Sequence, residues 1–321
     1  MRVGHKVMDI LYIVVPCYNE EEVLPETAKR LRAKMRELIS AGKISEQSRI
    51  LFVNDGSRDR TWELISRLHG EDAVYAGASL SRNRGHQYAL LAGLMTAREL
   101  ADVTISMDAD LQDDIGAVDR MLDEYKNGCD IVYGVRSSRK KDSFFKRFTA
   151  EGFYKVIGWL GGEVVFNHAD YRLMSRRALD AFAEYGEVNL FLRGIVPMLG
   201  YKTATVEYER GERFAGESKY PLKKMLAFAW EGVTSLSSKP LRAITWAGVL
   251  SLVAAFVLLV VFAVGAFFGR ELLGWRILLF AVVLMGGLVL TAMGIVAEYV
   301  GKIYLETKKR PRYFVEDILN K

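Results

Sequence analysis

The stretch Val103-Thr104-Ile105-Ser106-Met107-Asp108-Ala109-Asp110-Leu111-Gln112-Asp113 decides the reading of this chain. Its first half is short, apolar and β-branched, the pattern of a buried strand. Its second half puts carboxylates and an amide at the strand's end, where they cannot stay buried unpaired. In an open α/β sheet, ligands bind outside the carboxyl ends of the strands. Asp108 and Asp110 are two apart, so an extended backbone would point both the same way. Such a pair invites a hard divalent cation, and a cation with open positions invites a diphosphate. The competing reading is a solvated loop that caps the next helix. For Asp113 and Asp114 that second reading is the expected one.

Working outward, strands and amphipathic helices alternate. Leu11 to Val15, Ile50 to Val53, Val74 to Leu80 and Ile131 to Val135 read as further strands. Each ends in polar groups: Tyr18, Asn19 and Glu20; Asn54, Asp55 and Ser57; Ser81, Arg82 and Asn83; Arg136. Asn19 is expected to cap the first helix, which runs to about Ile39. Gly56 is free to take a positive φ in its turn. Thr203 to Tyr208 gives one more strand. The order predicts an α/β fold, a mostly parallel sheet with helices on both faces and a site along one edge. No Gly-x-Gly-x-x-Gly and no Walker loop occurs, so a nucleotide is not held in either of those ways.

The 321 residues carry a net charge of +5, and half of them are hydrophobic. Mean hydropathy is slightly positive at +0.08, and the apolar excess lies after residue 240. Cys17 and Cys129 form no zinc spacing and no disulfide framework. The first nine residues have no apolar core, so no cleavable signal peptide is expected.

After Arg136 the chain turns basic, with Arg139, Lys140, Lys141, Lys146 and Arg147 among Phe144, Phe145, Phe148 and Trp159. The spacing over 144–160 suits a helix lying in a membrane interface, or a helix packed on the sheet. A nucleic-acid partner is disfavoured, because the basic run adjoins lipid-seeking aromatics. Residues 216–242 give a second, juxtamembrane amphipathic segment. Ala243 to Phe268 is uncharged over 26 positions and Ile277 to Ala297 over 21. At about 1.5 Å per residue either can span a bilayer, and the short link predicts a transmembrane hairpin. Lysines and arginines flank the hairpin on its inner side. They predict a multi-pass protein of the cytoplasmic membrane, with both termini and the catalytic domain (1–215) in the cytoplasm and 301–321 a basic cytoplasmic tail. Gly286, Gly287 and Gly294 suit helix contacts in a homo-oligomer.

Pro16-Cys-Tyr-Asn-Glu20, Asn54-Asp-Gly-Ser-Arg-Asp59, Leu80-Ser-Arg-Asn83 with Gly85, Asp108-Ala-Asp-Leu-Gln112 and Gly134-Val-Arg136 follow one another in this order. The set resembles the GT-A-fold, Rossmann-like, family-2 inverting glycosyltransferases. Within them it is most similar to the polyprenyl-phosphate sugar transferases of the dolichol-phosphate mannose synthase and GtrB types. The resemblance covers nearly the whole chain. One departure is Asp114, where that family often has proline, and it is expected to alter only the helix start.

The resemblance implies that Pro16, Tyr18, Glu20, Asn54 and Asp55 hold the nucleoside, and that Ser81, Arg82 and Asn83 shape the donor pocket. It implies that Asp108 contacts the donor, and that Asp110 and Gln112 ligate Mg²⁺ or Mn²⁺. It also implies that Asp170 lies near the reacting centre. The donor is expected to be a nucleotide diphosphate sugar, UDP-glucose foremost, and the acceptor undecaprenyl or another polyprenyl phosphate in the lipid bilayer. A hydroxyl acceptor would need a general base, whereas a lipid phosphate already carries an oxyanion. Asp170 is therefore expected to orient rather than deprotonate. Arg136 and Arg139, then Arg172, are candidates for the acceptor phosphate, with Lys219 closing over the diphosphate. His86 and His168, as isolated histidines, are left out of the site. Transfer to a soluble or protein glycan, or a non-catalytic membrane scaffold, are the rival readings.

Overall fold

The computed structural model describes residues 8–137, 168–188, 190–209, 211, 234, 239–268 and 274–320. Arg139, Lys219, the expected interfacial helix 144–160 and residues 216–233 lie outside them.

The elements follow in the order β1 (Leu11–Cys17), α1 (Leu24–Ser40), β2 (Arg49–Asn54), α2 (Thr61–Glu71), β3 (Tyr75–Leu80) and α3 (His86–Arg98). Then come β4 (Val103–Ser106), α4 (Ala117–Lys126), β5 (Ile131–Arg136), β6 (His168–Ser175), α5 (Arg176–Ala183), α6 (Leu192–Met198) and β7 (Thr203–Tyr208). Two long helices, α7 (Lys239–Phe267) and α8 (Gly274–Lys308), precede a last strand, β8 (Val315–Leu319).

One eight-stranded sheet has the order β7-β5-β6-β4-β1-β2-β3-β8. Its period-two alternation sorts β1 between two cores. Leu11, Ile13 and Val15 pack with Leu31 and Met35 of α1 and Met121 of α4. Tyr12 and Val14 pack with Leu90 and Leu94 of α3 and Phe182 of α5. Helices thus cover both faces, as the alternating pattern predicts. Gly93 lets α3 sit close to the sheet, since a Cβ there would come within 2.4 Å of Val14 and 2.6 Å of Val53.

The strands β1 to β5 and β7 all run one way. β6 and β8 run against them. The sheet is therefore mixed, with two antiparallel strands beyond the sequence expectation. β6 matters most. It inserts between β4 and β5, pairing Arg172 with Ser106. Being antiparallel, it starts at the edge where the other strands end, and so delivers Asp170 beside Asp108.

Residues 301–321, read as a basic tail, carry regular structure as well. α8 continues to Lys308, and β8 then pairs Ala78 with Ile318 at the edge of the catalytic sheet. Asn19 does not cap α1. It takes φ 53°, its Oδ1 accepts from the Arg58 amide, and α1 starts at Leu24 with proline in its first turn. Large apolar side chains face outward on α7 and α8, Trp246 and Phe267 being 73% and 86% exposed. Leu284–Lys308 is a helical segment long and apolar enough to cross a membrane.

Candidate active site

Loops at the carboxyl edge are stitched to one another before any ligand arrives. Glu20 donates its amide to Thr61 Oγ1 at 2.9 Å, and Asn19 donates to Ser57 Oγ at 3.0 Å. Gly56, at φ 61°, lies against the next loop, where a Cβ would fall 2.5 Å from the Asn83 amide nitrogen. Asn54 is buried, donating to Ser79 Oγ at 2.9 Å and accepting from the Ser57 amide at 3.1 Å. Asp55 is 2% exposed and accepts from the amides of Arg84 and Gly85 at 2.7 and 2.8 Å. Asn54 and Asp55 therefore also build the loops that carry the expected nucleoside side of the site. Pro16 is buried in β1. Tyr18, Ser81, Arg82 and Asn83 form the exposed rim, and Glu20 is half-buried beside them.

The acidic loop begins where the Met107 amide makes its last bond to Val14. Leu111 takes φ 58°, an unusual conformation for a side chain of its size. It turns the chain so that the Gln112 amide donates to Asp110 Oδ1 at 3.1 Å. Asp113, expected in solvent, is 4% exposed. Its Oδ1 accepts from the Tyr208 hydroxyl at 2.6 Å, and Arg136 Nε donates to that hydroxyl at 3.3 Å. Burial, with the Asp108 charge adding to it, pushes the Asp113 carboxyl up to about 6. Asp108 is raised too, by desolvation in the cleft with Asp170 and Asp110 adding, against the pull of His86. Among the described residues no three His, Cys, Asp or Glu side chains converge as a finished metal cage. The loop does offer two carboxylates and an amide, all oxygen donors, and its crowded negative charge suits a hard cation.

Asp170 sits opposite, 12% exposed. Its Oδ1 accepts from Arg172 at 2.8 Å and from Arg193 Nε at 3.3 Å. Its Oδ2 accepts from the other arm of Arg193 at 3.0 Å. His86 Nε2 lies 3.5 Å from Asp170 Oδ2 and 3.7 Å from Asp108 Oδ1. Burial alone would raise the Asp170 carboxyl, but Arg193, His86 and Arg172 hold it well below the usual range. Burial would likewise lower His86, but the two carboxylates outweigh it and push the imidazole up to about 9.

Arg172 stands behind Asp170. Its side chain is 1% exposed and bound to Asp170 and the Leu192 carbonyl, so in this structure it braces Asp170. Sequence reasoning missed Arg193 and His86. His86 is one residue past the polar end of β3, and that position was the available signal. Arg193 reaches Asp170 from 23 residues away, and no local pattern marks it. A cavity of about 890 Å³ opens on the Gln112 side of the acidic loop, lined by Asp113, Arg120, Ser137, Tyr208 and Gly211 among others.

Comparison with known proteins follows the same line. The uncharacterized glycosyltransferase YkoT of Bacillus subtilis (strain 168) is 50% identical over 316 residues, covering 97% of this chain and 93% of that one. The bactoprenol glucosyl transferase of Shigella phage SfX is 38% identical over 95% of this chain and 98% of its own. A solved mannosyltransferase from Pyrobaculum calidifontis, in complex with GDP-Man and Mn²⁺, aligns at 15% identity with a TM-score of 0.43, over 94% of this chain and 86% of that one. The family model for glycosyl transferase family 2 matches residues 12–182, from β1 through α5. With its strand-edge loops, acidic turn and Asp170 inside that span, this chain belongs to glycosyl transferase family 2.

Proposed function

We propose that the chain transfers a hexose, glucose from UDP-glucose, to the phosphate of undecaprenyl or another polyprenyl phosphate, with inversion at the anomeric carbon. The observation that carries this reading is the state of Asp170. Two arginines occupy its oxygens and a histidine stands beside it, so it is a poor proton acceptor. A hydroxyl acceptor needs a base. A phosphate monoester brings its own oxyanion. That oxygen bonds to the anomeric carbon as the bond to the diphosphate breaks, and no proton has to leave the acceptor. The bactoprenol transferase relatives at 37–38% identity support the same acceptor class.

Tyr18, Glu20, Ser81, Arg82 and Asn83 would line the nucleoside side, and Arg136 would face the acceptor phosphate with Arg139. Asp110 and Gln112, beside Asp108, would hold Mg²⁺ or Mn²⁺. When bound, the ion neutralises the departing diphosphate. α7 and α8 would form a hairpin in the cytoplasmic membrane. Two features support that topology. Lys302 near the end of α8 donates to Thr234 ahead of α7. β8 also returns to the catalytic sheet, which keeps both ends of the hairpin on one side. A bilayer anchor suits an acceptor that cannot leave the bilayer, and the small residues of α8 suit a homo-oligomer.

Purified protein in detergent, given undecaprenyl phosphate, either metal ion and a panel of labelled nucleotide sugars, is expected to move label from UDP-glucose into the organic phase. Label from no donor, with folded protein, would overturn the reading. Full metal-dependent transfer by Asp110→Ala would overturn the metal assignment.

A further inference from the structure

α3 opens on a histidine, a residue that gains nothing from the helix dipole at that end. Something else must justify its place, and three features fix it. Gly85, at φ 92°, swings the chain into the helix. Asp55, buried at the end of β2, grips the amides of Arg84 and Gly85 and so sets the height of the residue that follows. The ring then meets two carboxylates from separate parts of the chain, Asp108 after β4 and Asp170 in β6, at 3.7 and 3.5 Å from the same nitrogen.

We propose that His86 is a positioning residue for sugar transfer, bridging Asp108 and Asp170 through Nε2 and so setting the separation of the donor-side and acceptor-side carboxylates. Asp170 is already braced from behind by Arg172 and Arg193. Among the described residues, no arginine or lysine forms an ion pair with Asp108, so its ion-pair partner is His86. Without the ring, two anions face each other across the cleft and Asp108 loses its fixed place. A donor sugar held by Asp108 then drifts from the line of attack, and an error of about 1 Å can cost on the order of 100-fold in rate.

This inference rests on the proposed reading of the site, and the test separates the two. Full-length protein in detergent carries His86→Ala, Asp170→Asn and the pair together, with His86→Asn as a second variant should alanine destabilise the fold. Turnover at saturating donor and acceptor, donor affinity by calorimetry and melting temperature are read for each. The expected result is a fall in kcat of roughly ten-fold or more for His86→Ala at an unchanged melting temperature. In the Asp170→Asn background the same change is expected to cost several-fold less than in the parent, because the bridge has already lost one of its two ends. Parent-like kcat in both histidine variants, or an equal factor in both backgrounds, would overturn the inference while leaving the transfer reaction intact. Parent-like activity in Asp170→Asn as well would instead count against the reading of the site.

Discussion

Gly56 is the residue whose replacement is most legible in advance. Its φ of 61° disfavours any side chain, and a Cβ would strike the backbone of Arg82 and Asn83. Neither atom belongs to a flexible side chain, so the two donor loops must part. Gly56→Ala is expected to lower stability by about 2 kcal/mol or more and to weaken nucleotide-sugar binding, both measurable by thermal unfolding with and without donor. At this scale the sequence revealed residue types at strand ends better than it revealed what those residues touch. Asp55 and Asn54 carry the right chemistry for a nucleoside, and the structure adds a loop-building part that their type alone does not reveal. Asp113 looks like a helix cap, but a tyrosine from β7 waits behind it, and no local pattern announces a partner 95 residues away. Arg172 is an anion-binding candidate in sequence, whereas nothing local sets Arg193 apart from other surface arginines. β6 is buried on both faces from Tyr171 to Ser175 and encloses the first, while α6 leaves the second 30% exposed.

Among the elements, β1 to β5 and their helices follow from hydrophobic period alone, because each is bounded by its own turn residues. β6 was not legible as a strand. His168-Ala-Asp-Tyr-Arg-Leu-Met-Ser mixes charge with apolar residues, and its pairing between β4 and β5 is a matter of tertiary order. Helix docking gives a prediction that pH can test. Lys34 of α1, with a side chain 10% exposed, pairs with Asp119 in the first turn of α4, and Lys43 joins them at 2.9 Å. Burial would raise the Asp119 carboxyl, but Lys34 and Lys43 outweigh it and hold it below its ordinary value. A carboxyl depressed in the folded state adds stability above its unfolded pKa of about 3.9, and that stability is lost as pH falls through the folded value. Asp119→Asn is expected to cost about 1–2 kcal/mol at pH 7, discounted for partial exposure, with the gap to the parent closing below about pH 4. A gap that persists undiminished in acid would point to packing in place of charge.

For the whole molecule, the long apolar helices are not hung on the end of a finished domain. The chain returns from α8 to complete the sheet as β8. On the way, Glu306 accepts from the Val188 amide, Arg312 donates to the Tyr185 carbonyl, and the Phe314 carbonyl accepts from the Ser81 amide in the donor loop. Removing 310–321 bares the edge of β3 and frees that loop. The truncated protein is expected to melt several degrees lower, to bind donor more weakly and to self-associate through the exposed strand, as read by calorimetry and light scattering. Hydropathy located the apolar runs of this region well, because a bilayer-length run needs no partner to be recognised. The strand after them was hidden, since five residues with exposed acidic positions gain their identity only from β3. The proposed reaction turns on an acceptor that arrives already ionised. The direct measurement is sugar transfer to undecaprenyl phosphate beside the unphosphorylated alcohol of the same chain length, with the same labelled donor and metal. Lipid-linked sugar is expected from the phosphate and none from the alcohol; comparable transfer to the alcohol would rule out the need for an ionised acceptor.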